Sequence, residues 1–169
     1  MPVLQMNSLT HLDHNGRARM VDVSAKSPTP RHAKVQCVVR LSPDAFQAML
    51  QENLEKGDPF TVAKLAGIQA AKRTAELIPL CHPLPLEHLD VSFEPDPARC
   101  AIRLVAETTA TTKTGVEMEA FVAASIGALA LYDMVKAIDP GATITDLQLV
   151  GKTGGKQAFQ GTSRCAPPL

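Results

Sequence analysis

The sequence predicts an α+β domain of the ferredoxin-like type, a split βαβ arrangement with an antiparallel sheet and helices packed on one face. Two observations carry this prediction. The pattern of apolar residues and turn residues gives the order strand, two helices, two strands, helix, strand. The length of 169 residues fits one compact domain, since a domain takes roughly 150 residues.

The first half of the chain predicts one strand and two helices. The β-rich segment AKVQCVVRL at 33–41 is the strand. Pro43 stands where the first residue of a helix tolerates proline, so a helix is predicted from there to about Lys56. Pro59 follows an aspartate that suits an N-cap, which predicts a second helix toward Glu76.

The second half predicts two strands, a long helix and a last strand. Segments 86–95 and 99–108 should form a hairpin joined by a PDPA turn, because proline is disfavoured inside a sheet. A long helix is predicted over 116–139, where Pro140 follows, and the last strand over 143–152.

Three regions follow from these elements. Residues 1–32 are predicted to form an N-terminal arm, 33–159 the ferredoxin-like domain and 160–169 a polar tail. Within the arm, the Asn-Gly pair at 15–16 indicates a turn, and SPTPR at 27–31 has the composition of a rigid linker.

Composition excludes several classes of protein. The 17 Lys and Arg balance 17 Asp and Glu, so the chain lacks the overall positive charge that attracts nucleic acid, and any anion site must be local. The four cysteines show no CxxC pair, which favours reduced thiols over a zinc site. The N-terminus lacks the pattern of a secretory signal, so we expect a cytoplasmic protein.

The most apolar run predicts a helix buried from two directions. It has 13 residues, from Ala120 to Tyr132, whereas a membrane span needs about 20. One sheet cannot cover a helix that is apolar on nearly every side. The helix is either sandwiched inside the monomer or covered by a second subunit, and the sequence favours the subunit interface.

The segment IPLCHPLPL at 78–86 holds Cys81 and His82 between prolines. Adjacent side chains in an extended segment point to opposite faces, so the pair does not read as a nucleophile with its base. The other histidines show no spacing that would complete a metal site with His82. A structural histidine and a histidine that binds a ligand oxygen both remain open.

The loop LVGKTGGKQ at 149–157 is not a P-loop, because the glycine required five residues before the Gly-Lys pair is absent. Lys152 and the Gly-Gly pair can nevertheless place an ammonium group and backbone N–H groups around an anion. A solvated loop is the alternative.

Two pairs of charged residues are candidates for chemistry. Asp133 and Lys136 stand three apart on the long helix and can form either a surface ion pair or a partly buried acid–base pair. Glu117 and Glu119 either favour the positive end of the helix or, in a non-helical lead-in, face one way as a clamp for a guanidine-like N–H edge.

Seven segments, in this order, resemble the cyclic pyranopterin monophosphate synthase family of the MoaC type from about Leu9 to Phe159: MVDVSAK, KGDPF, AGIQAAKRT, LIPLCHPL, KTGVEMEA, LYDMVKAID and GGK. The resemblance implies a lyase of molybdenum cofactor biosynthesis. Its substrate would be (8S)-3′,8-cyclo-7,8-dihydroguanosine 5′-triphosphate, and its products cyclic pyranopterin monophosphate and diphosphate. The resemblance implies no metal or organic cofactor. It does imply a homohexamer, built as a trimer of dimers with active sites at the dimer interface.

The resemblance also assigns residues. The family's catalytic positions fall on Asp133, Lys136, Lys56 and Lys152. Its substrate-binding positions fall on Leu80, Cys81, His82, Glu117, Met118 and Glu119, and the triphosphate would be met by Arg31, Lys72, Lys26 and His82. In this interpretation the prolines hold His82 toward the substrate while Cys81 turns inward. A non-catalytic purine-nucleotide-binding regulatory module is the competing class, and the intact catalytic aspartate and lysine favour the enzyme.

Overall fold

The computed structural model describes residues 11–13, 15–51, 57–155 and 157–161. Its strands within these ranges are β1 (Thr29–Arg40), β2 (His88–Asp96), β3 (Ala101–Thr112), β4 (Thr143–Thr153) and β5 (Phe159–Gln160). Its helices are α1 (Pro43–Leu50), α2 (Pro59–Ala71), α3 (Thr74–Leu77) and α4 (Glu117–Val135). The ferredoxin-like α+β fold predicted from the sequence is confirmed.

The sheet is antiparallel and has the order β2-β3-β1-β4-β5. β1 is central: it pairs with β3 without interruption, from Thr29 opposite Thr112 to Arg40 opposite Ala101. On its other side β1 pairs with β4, where Ala33 lies opposite Lys152. This central strand therefore connects the two halves of the fold.

Two prolines lie in strands where the sequence predicted a linker or a turn. β1 begins at Thr29, so Pro30 belongs to a segment predicted to be a rigid linker. Pro95 lies in β2 opposite Ile102, although prolines were expected only in the turn. Both positions are compatible with proline, because Pro30 lies near the start of its strand and β2 is at the edge of the sheet.

The helices differ from the prediction mainly at their ends. α1 is described to Leu50, and the expected end near Lys56 lies outside the described residues. The helix predicted from Pro59 to Glu76 is divided into α2 and α3. At this break the buried Thr74 hydroxyl donates to the carbonyl of Ala71 at 2.8 Å, which satisfies an acceptor at the end of α2.

The core lies between the sheet and α4, with α2 packed beside α4. Alternate residues of β1 are fully buried against the helices: Ala33, Val35, Cys37 and Val39. α4 is long and apolar enough to cross a membrane by length and composition, yet more than half of that stretch is buried inside the domain, as expected of a core helix.

One face of α4 borders an apolar groove that the described residues leave open. The groove has a volume of about 530 Å³ and is lined by Leu77, Ile78, Met118, Phe121, Val122, Ser125, Ile126 and Leu147. α4 is thus buried on one side by the sheet and α2 and remains apolar on a second side.

The N-terminal arm folds back on itself and is tied to the domain. Leu12 and Ala18 form a bridge around the turn predicted at 15–16, which is confirmed. The Asp13 carboxylate accepts from the backbone N–H of Arg17 at 2.9 Å. Lys113 donates from Nζ to the carbonyl of Ser24 at 2.9 Å and so connects the arm to the segment that precedes α4.

The contact between α2 and α4 depends on a glycine, which leads to a stability prediction. A Cβ at Gly67 would lie 2.8 Å from the backbone oxygen of Ala123 and 3.3 Å from Val91. Gly67→Ala should therefore lower the free energy of unfolding by about 1–3 kcal/mol, although alanine is the better helix former by about 1 kcal/mol. Denaturant unfolding measures this change.

The matched control is Gln69→Ala on the exposed side of the same helix. This substitution should change the free energy of unfolding by no more than about 0.5 kcal/mol. A Gly67→Ala protein as stable as the parent would contradict the close packing.

Candidate active site

A cavity of about 400 Å³ lies between the start of α4, the segment 80–84 and the N-terminal arm. Seven of the nine residues predicted to bind substrate line it: Lys26, Leu80, Cys81, His82, Glu117, Met118 and Glu119. The fold therefore gathers residues that are more than 90 positions apart in the sequence. We refer to these residues and the space between them as the base cavity, after the guanine base that the family resemblance implies for Glu117 and Glu119.

The arm also contributes His11 and Val21 to the base cavity, which the sequence analysis did not assign. The turn at 15–16 could have indicated that the arm folds back. Its docking over the cavity depends on tertiary contacts such as that of Lys113 with Ser24, which carry no local sequence signal.

Glu117 and Glu119 both belong to the first turn of α4. Of the two alternatives that the sequence left open, the position at the start of the helix therefore holds and the non-helical lead-in does not, and residues two apart on a helix point in different directions. The Glu117 carboxylate is folded back over Gly115, where a Cβ would overlap with it. Its Oε1 accepts from Nζ of Lys152 at 2.8 Å, so the last strand is connected to the start of α4.

Glu119 is buried, with only 3% of the residue exposed. Its Oε2 has no hydrogen-bond partner among the described residues. Burial, with a smaller contribution from the charge of Glu117, raises the pKa of Glu119 to about 7. Near neutral pH this carboxyl group is present in both protonation states, so it can donate or accept a hydrogen bond in the base cavity.

Cys81 and His82 both line the base cavity, and the inward orientation expected of the Cys81 side chain stays a prediction. Segment 81–86 has no regular secondary structure, and the alternation of an extended strand does not apply to it. Burial, followed by the charge of Glu119, raises the pKa of the Cys81 thiol, which keeps it neutral. His82 is half-buried and borders the same space.

A second, smaller pocket of about 240 Å³ lies beside the base cavity and contains Lys72 and Arg73. Leu84 and Glu119 line both spaces. Lys72 is thus on the other side of Glu119 from His82. The buried carboxyl group separates a space with two cations from the base cavity.

Arg31 and Lys152 lie on the side of the sheet that faces the helices. Lys152 is opposite the fully buried Ala33, and Arg31 is opposite the fully buried Ala110. Directly opposed residues of an antiparallel pair point to the same face. Arg31 lines neither of the two pockets described above, and its side chain runs along Gly154 and Gly155.

Asp133 and Lys136 form the predicted ion pair, with Nζ of the lysine 2.7 Å from Oδ1 of the aspartate. Each side chain is 54% exposed, so the expected partial burial is absent from the single chain. The hydrogen bond and charge of Asp133 raise the pKa of Lys136.

The predicted catalytic residues are divided between the two ends of α4. Glu117 and Asp133 are separated by about 24 Å along the helix axis, at 1.5 Å per residue. Lys152 lies at the Glu117 end, and Lys56 lies outside the described residues. Within one chain, the Asp133–Lys136 pair therefore does not reach the base cavity.

The base cavity borders the apolar groove on α4, because Met118 lines both. This side chain is 37% exposed. Across the described ranges, which omit 52–56 among others, no three His, Cys, Asp or Glu side chains are arranged to hold a metal ion.

A family model and individual relatives of this chain indicate the same protein family. The model of the MoaC family matches residues 20–155. A cyclic pyranopterin monophosphate synthase from Pelotomaculum thermopropionicum is 49% identical over 151 residues, 89% of either chain. One from Geotalea uraniireducens is 52% identical over 149 residues, 88% of this chain and 93% of the relative. Human Molybdenum cofactor biosynthesis protein 1 is 47% identical over 156 residues, 92% of this chain and 24% of the human protein.

The buried carboxyl group of Glu119 predicts an unusual dependence of stability on pH. Burial raises its pKa from an ordinary 4.5 to about 7 in the folded chain. The folded state then holds the proton more tightly than the unfolded state. The contribution of protonated Glu119 to the free energy of unfolding is fully present below pH 4.5 and is lost as the pH rises through 7.

Between pH 4 and pH 8 the parent should lose about 3 kcal/mol more unfolding free energy than Glu119→Gln, at about 1.36 kcal/mol per pKa unit. Denaturant unfolding across this range measures the difference. Glu76→Gln, which removes an exposed carboxylate paired with Arg73, is the control and should follow the parent. Parallel curves for the parent and Glu119→Gln would contradict the burial argument.

Proposed function

The chain belongs to the MoaC family, and on that premise we propose that it converts (8S)-3′,8-cyclo-7,8-dihydroguanosine 5′-triphosphate to cyclic pyranopterin monophosphate. The reaction is a lyase step that releases diphosphate in molybdenum cofactor biosynthesis. The relatives named cyclic pyranopterin monophosphate synthase support this assignment. Among the two classes considered from the sequence, these names favour the enzyme over a regulatory nucleotide-binding module.

The observation that carries the proposal is the base cavity, which combines a buried carboxyl group, a second carboxylate and an imidazole in one concave space. A reduced guanine presents N–H donors together with a carbonyl acceptor. Glu117 and Glu119 can accept from the N–H edge, and Glu119 can also donate when protonated. His82 is placed to bond an oxygen of the substrate.

Basic residues around the cavity supply a local site for the triphosphate in a chain with no net charge. Lys26 lines the base cavity and Lys72 the adjacent pocket. Arg31 and Lys152 lie on the helix-facing side of the sheet at the same end of α4. Cations at these positions attract phosphate oxygens through charge-assisted hydrogen bonds.

Lys136 transfers the proton in this proposal, and Asp133 orients it. Because the carboxylate raises the pKa of Lys136, the side chain meets the substrate as an ammonium group. It can then donate a proton to an atom of the ribose or base as bonds rearrange. Lys152 and Lys56 complete the acid–base set that the family resemblance implies.

A complete active site then requires two chains. Asp133 and Lys136 lie about 24 Å along the helix from the residues of the base cavity, at 1.5 Å per residue. The apolar groove borders the base cavity at Met118, so a second copy that covers the groove would approach the cavity. Such a copy would supply the missing pair and bury the face of α4 that is open in one chain.

The family resemblance also leads to proposals for the oligomeric state and the cellular compartment. We assign to this chain the trimer-of-dimers hexamer that the family resemblance implies, and the cytoplasm as its compartment. Residues 33–159 would act as the catalytic domain, with the arm at 1–32 covering the cavity and a tail at 160–169. The thiols of Cys37, Cys81 and Cys100 are free, which fits a reducing compartment.

The assignment is tested with the cyclised GTP as substrate. The parent should release diphosphate and form cyclic pyranopterin monophosphate. Lys136→Arg keeps a positive charge but does not give up a proton near neutral pH. It should bind the substrate and lose about 10²–10⁴-fold in single-turnover rate.

Arg99→Lys provides the matched control, since Arg99 forms an exposed ion pair with Asp96 in the turn between β2 and β3. Its rate should equal that of the parent. If Lys136→Arg reacts at the parent rate, Lys136 is an electrostatic anchor only. If the parent itself releases no diphosphate, the proposed reaction is wrong.

The two-chain site predicts complementation between inactive variants. Lys136→Gln lacks the proton donor, and His82→Ala lacks a cavity contact. When the two are refolded together in equal amounts, about one quarter of the shared sites should combine two intact halves. Activity should rise to that fraction of the parent value.

Lys136→Gln refolded with Asp133→Asn is the control, because both changes affect the same half of the site. No activity should return in this mixture. If His82→Ala and Lys136→Gln form mixed oligomers without regaining activity, each site is contained in one chain and the proposed assembly of the site fails.

A further inference from the structure

We infer that Gly155 is a positioning residue for Arg31, holding open the space that its guanidinium occupies, and that Gly154 has a separate, structural role. The inference rests on the proposed function, in which Arg31 binds the triphosphate. It starts from the turn after β4, where Gly154 and Gly155 adopt φ values of +82° and +79°. Residues other than glycine rarely adopt this left-handed backbone conformation.

The two glycines face different atoms. A Cβ at Gly154 would overlap the backbone oxygen of Pro30 and lie 2.8 Å from Cδ of Arg31. A Cβ at Gly155 would instead overlap Nη1 of Arg31, with the guanidinium carbon 3.3 Å away. Backbone at 30 cannot move without disturbing β1, whereas the end of an arginine side chain can rotate.

Substitutions at the two positions should therefore have different effects, one on stability and the other on the direction of Arg31. A side chain at 154 would be resisted by the sheet itself, so the fold would lose stability. A side chain at 155 would be accommodated by displacing the guanidinium, so the fold would survive and the cation would point elsewhere. Gly155 therefore controls the direction of Arg31 without contacting substrate.

Few other contacts of the described residues orient the Arg31 guanidinium. Among the described residues, Nε of Arg31 is buried with no hydrogen-bond partner, and their ion pairs do not include this arginine. Its guanidinium is therefore oriented by packing against the glycine turn and keeps its donors for a ligand. A buried donor group that lacks a partner is costly unless a ligand supplies one.

Arg31 lies outside the base cavity, at a position that suits the phosphate end of a ligand extending from that cavity. Lys152 lies opposite Ala33, so Arg31 is the diagonal neighbour of Lys152 on the same face, at roughly 7–8 Å between Cα atoms. Lys152 reaches Glu117 at the edge of the cavity. The two cations thus form a short basic row that leads away from the predicted base site.

The test is a double-mutant cycle read by two measurements, the affinity for inorganic tripolyphosphate and the KM and kcat for the cyclised GTP. Gly155→Ala should weaken tripolyphosphate binding and raise KM by roughly tenfold, in the range for losing one charge-assisted hydrogen bond, with a smaller change in kcat. In the Arg31→Ala background the same substitution should change affinity by less than about twofold, because its effect acts through Arg31.

Gly16→Ala is the matched control for backbone strain. Gly16 has a φ of +74° and nothing within 4 Å of an added Cβ, so it experiences the same left-handed strain without touching Arg31. This variant should bind tripolyphosphate as the parent does. Gly154→Ala should lower the unfolding midpoint more than Gly155→Ala does.

Several results would overturn the inference. One is an equal loss of affinity from Gly155→Ala with and without Arg31. Another is Arg31→Ala binding tripolyphosphate as tightly as the parent. A third is Gly155→Ala failing to fold while Gly16→Ala folds. Failure of the proposed function has a different signature, since the parent would then bind tripolyphosphate without turning over the cyclised GTP.

Discussion

The close packing of α4 on the sheet is the constraint on which the rest of the structure depends. Its buried face is built largely from small residues: Ala120, Ala123, Ala124, Gly127 and Ala128. These side chains let the helix axis approach β1 and β3 closely, and Gly67 allows α2 to cross it at similarly short range. The positions of the residues at both ends of α4 follow from this packing, because a buried helix has little freedom to shift or rotate.

A single rigid helix therefore connects two chemical environments. At its start, Glu119 is buried and Glu117 is held by Lys152 from the last strand. At its end, Asp133 and Lys136 are paired in solvent. The first environment raises the pKa of a carboxyl group toward neutrality, and the second keeps a lysine charged. One helix thus places groups suited to recognition and groups suited to proton transfer at a fixed separation.

Much of this could be predicted from the sequence, because local patterns determine it. The alternation of β1 and the apolar run of α4 identified the elements and their order. The end of α2 could not be predicted, because the chain there contains good helix formers. The break is accompanied by a local hydrogen bond from the Thr74 hydroxyl to the carbonyl of Ala71, three residues earlier, and the burial of Thr74 depends on tertiary packing that the local pattern does not show.

In the candidate site, too, the residue types could be predicted from the sequence, whereas their arrangement in space could not. Residue types identified Glu117, Glu119 and the lysines as candidates, and the fold brings the two glutamates and His82 to one cavity. The sequence left open whether the two glutamates cap a helix or form a clamp in an extended segment; α4 begins at Glu117, so both belong to the helix. The separation of Lys136 from this cavity depends on helix length in three dimensions, which a list of matching motifs does not contain.

The ion pair between Lys152 and Glu117 shows how a site with opposite charges remains ordered without a ligand. Each residue neutralises the other at 2.8 Å, and neither is fully exposed. A substrate with phosphate oxygens at one end and N–H donors at the other offers the lysine an anion and the glutamate a donor. Both residues would then exchange one partner for another of similar polarity, so binding need not leave a desolvated charge unpaired. Because the chain carries no net charge, its attraction for an anionic substrate would have to come from such a local pattern of charges.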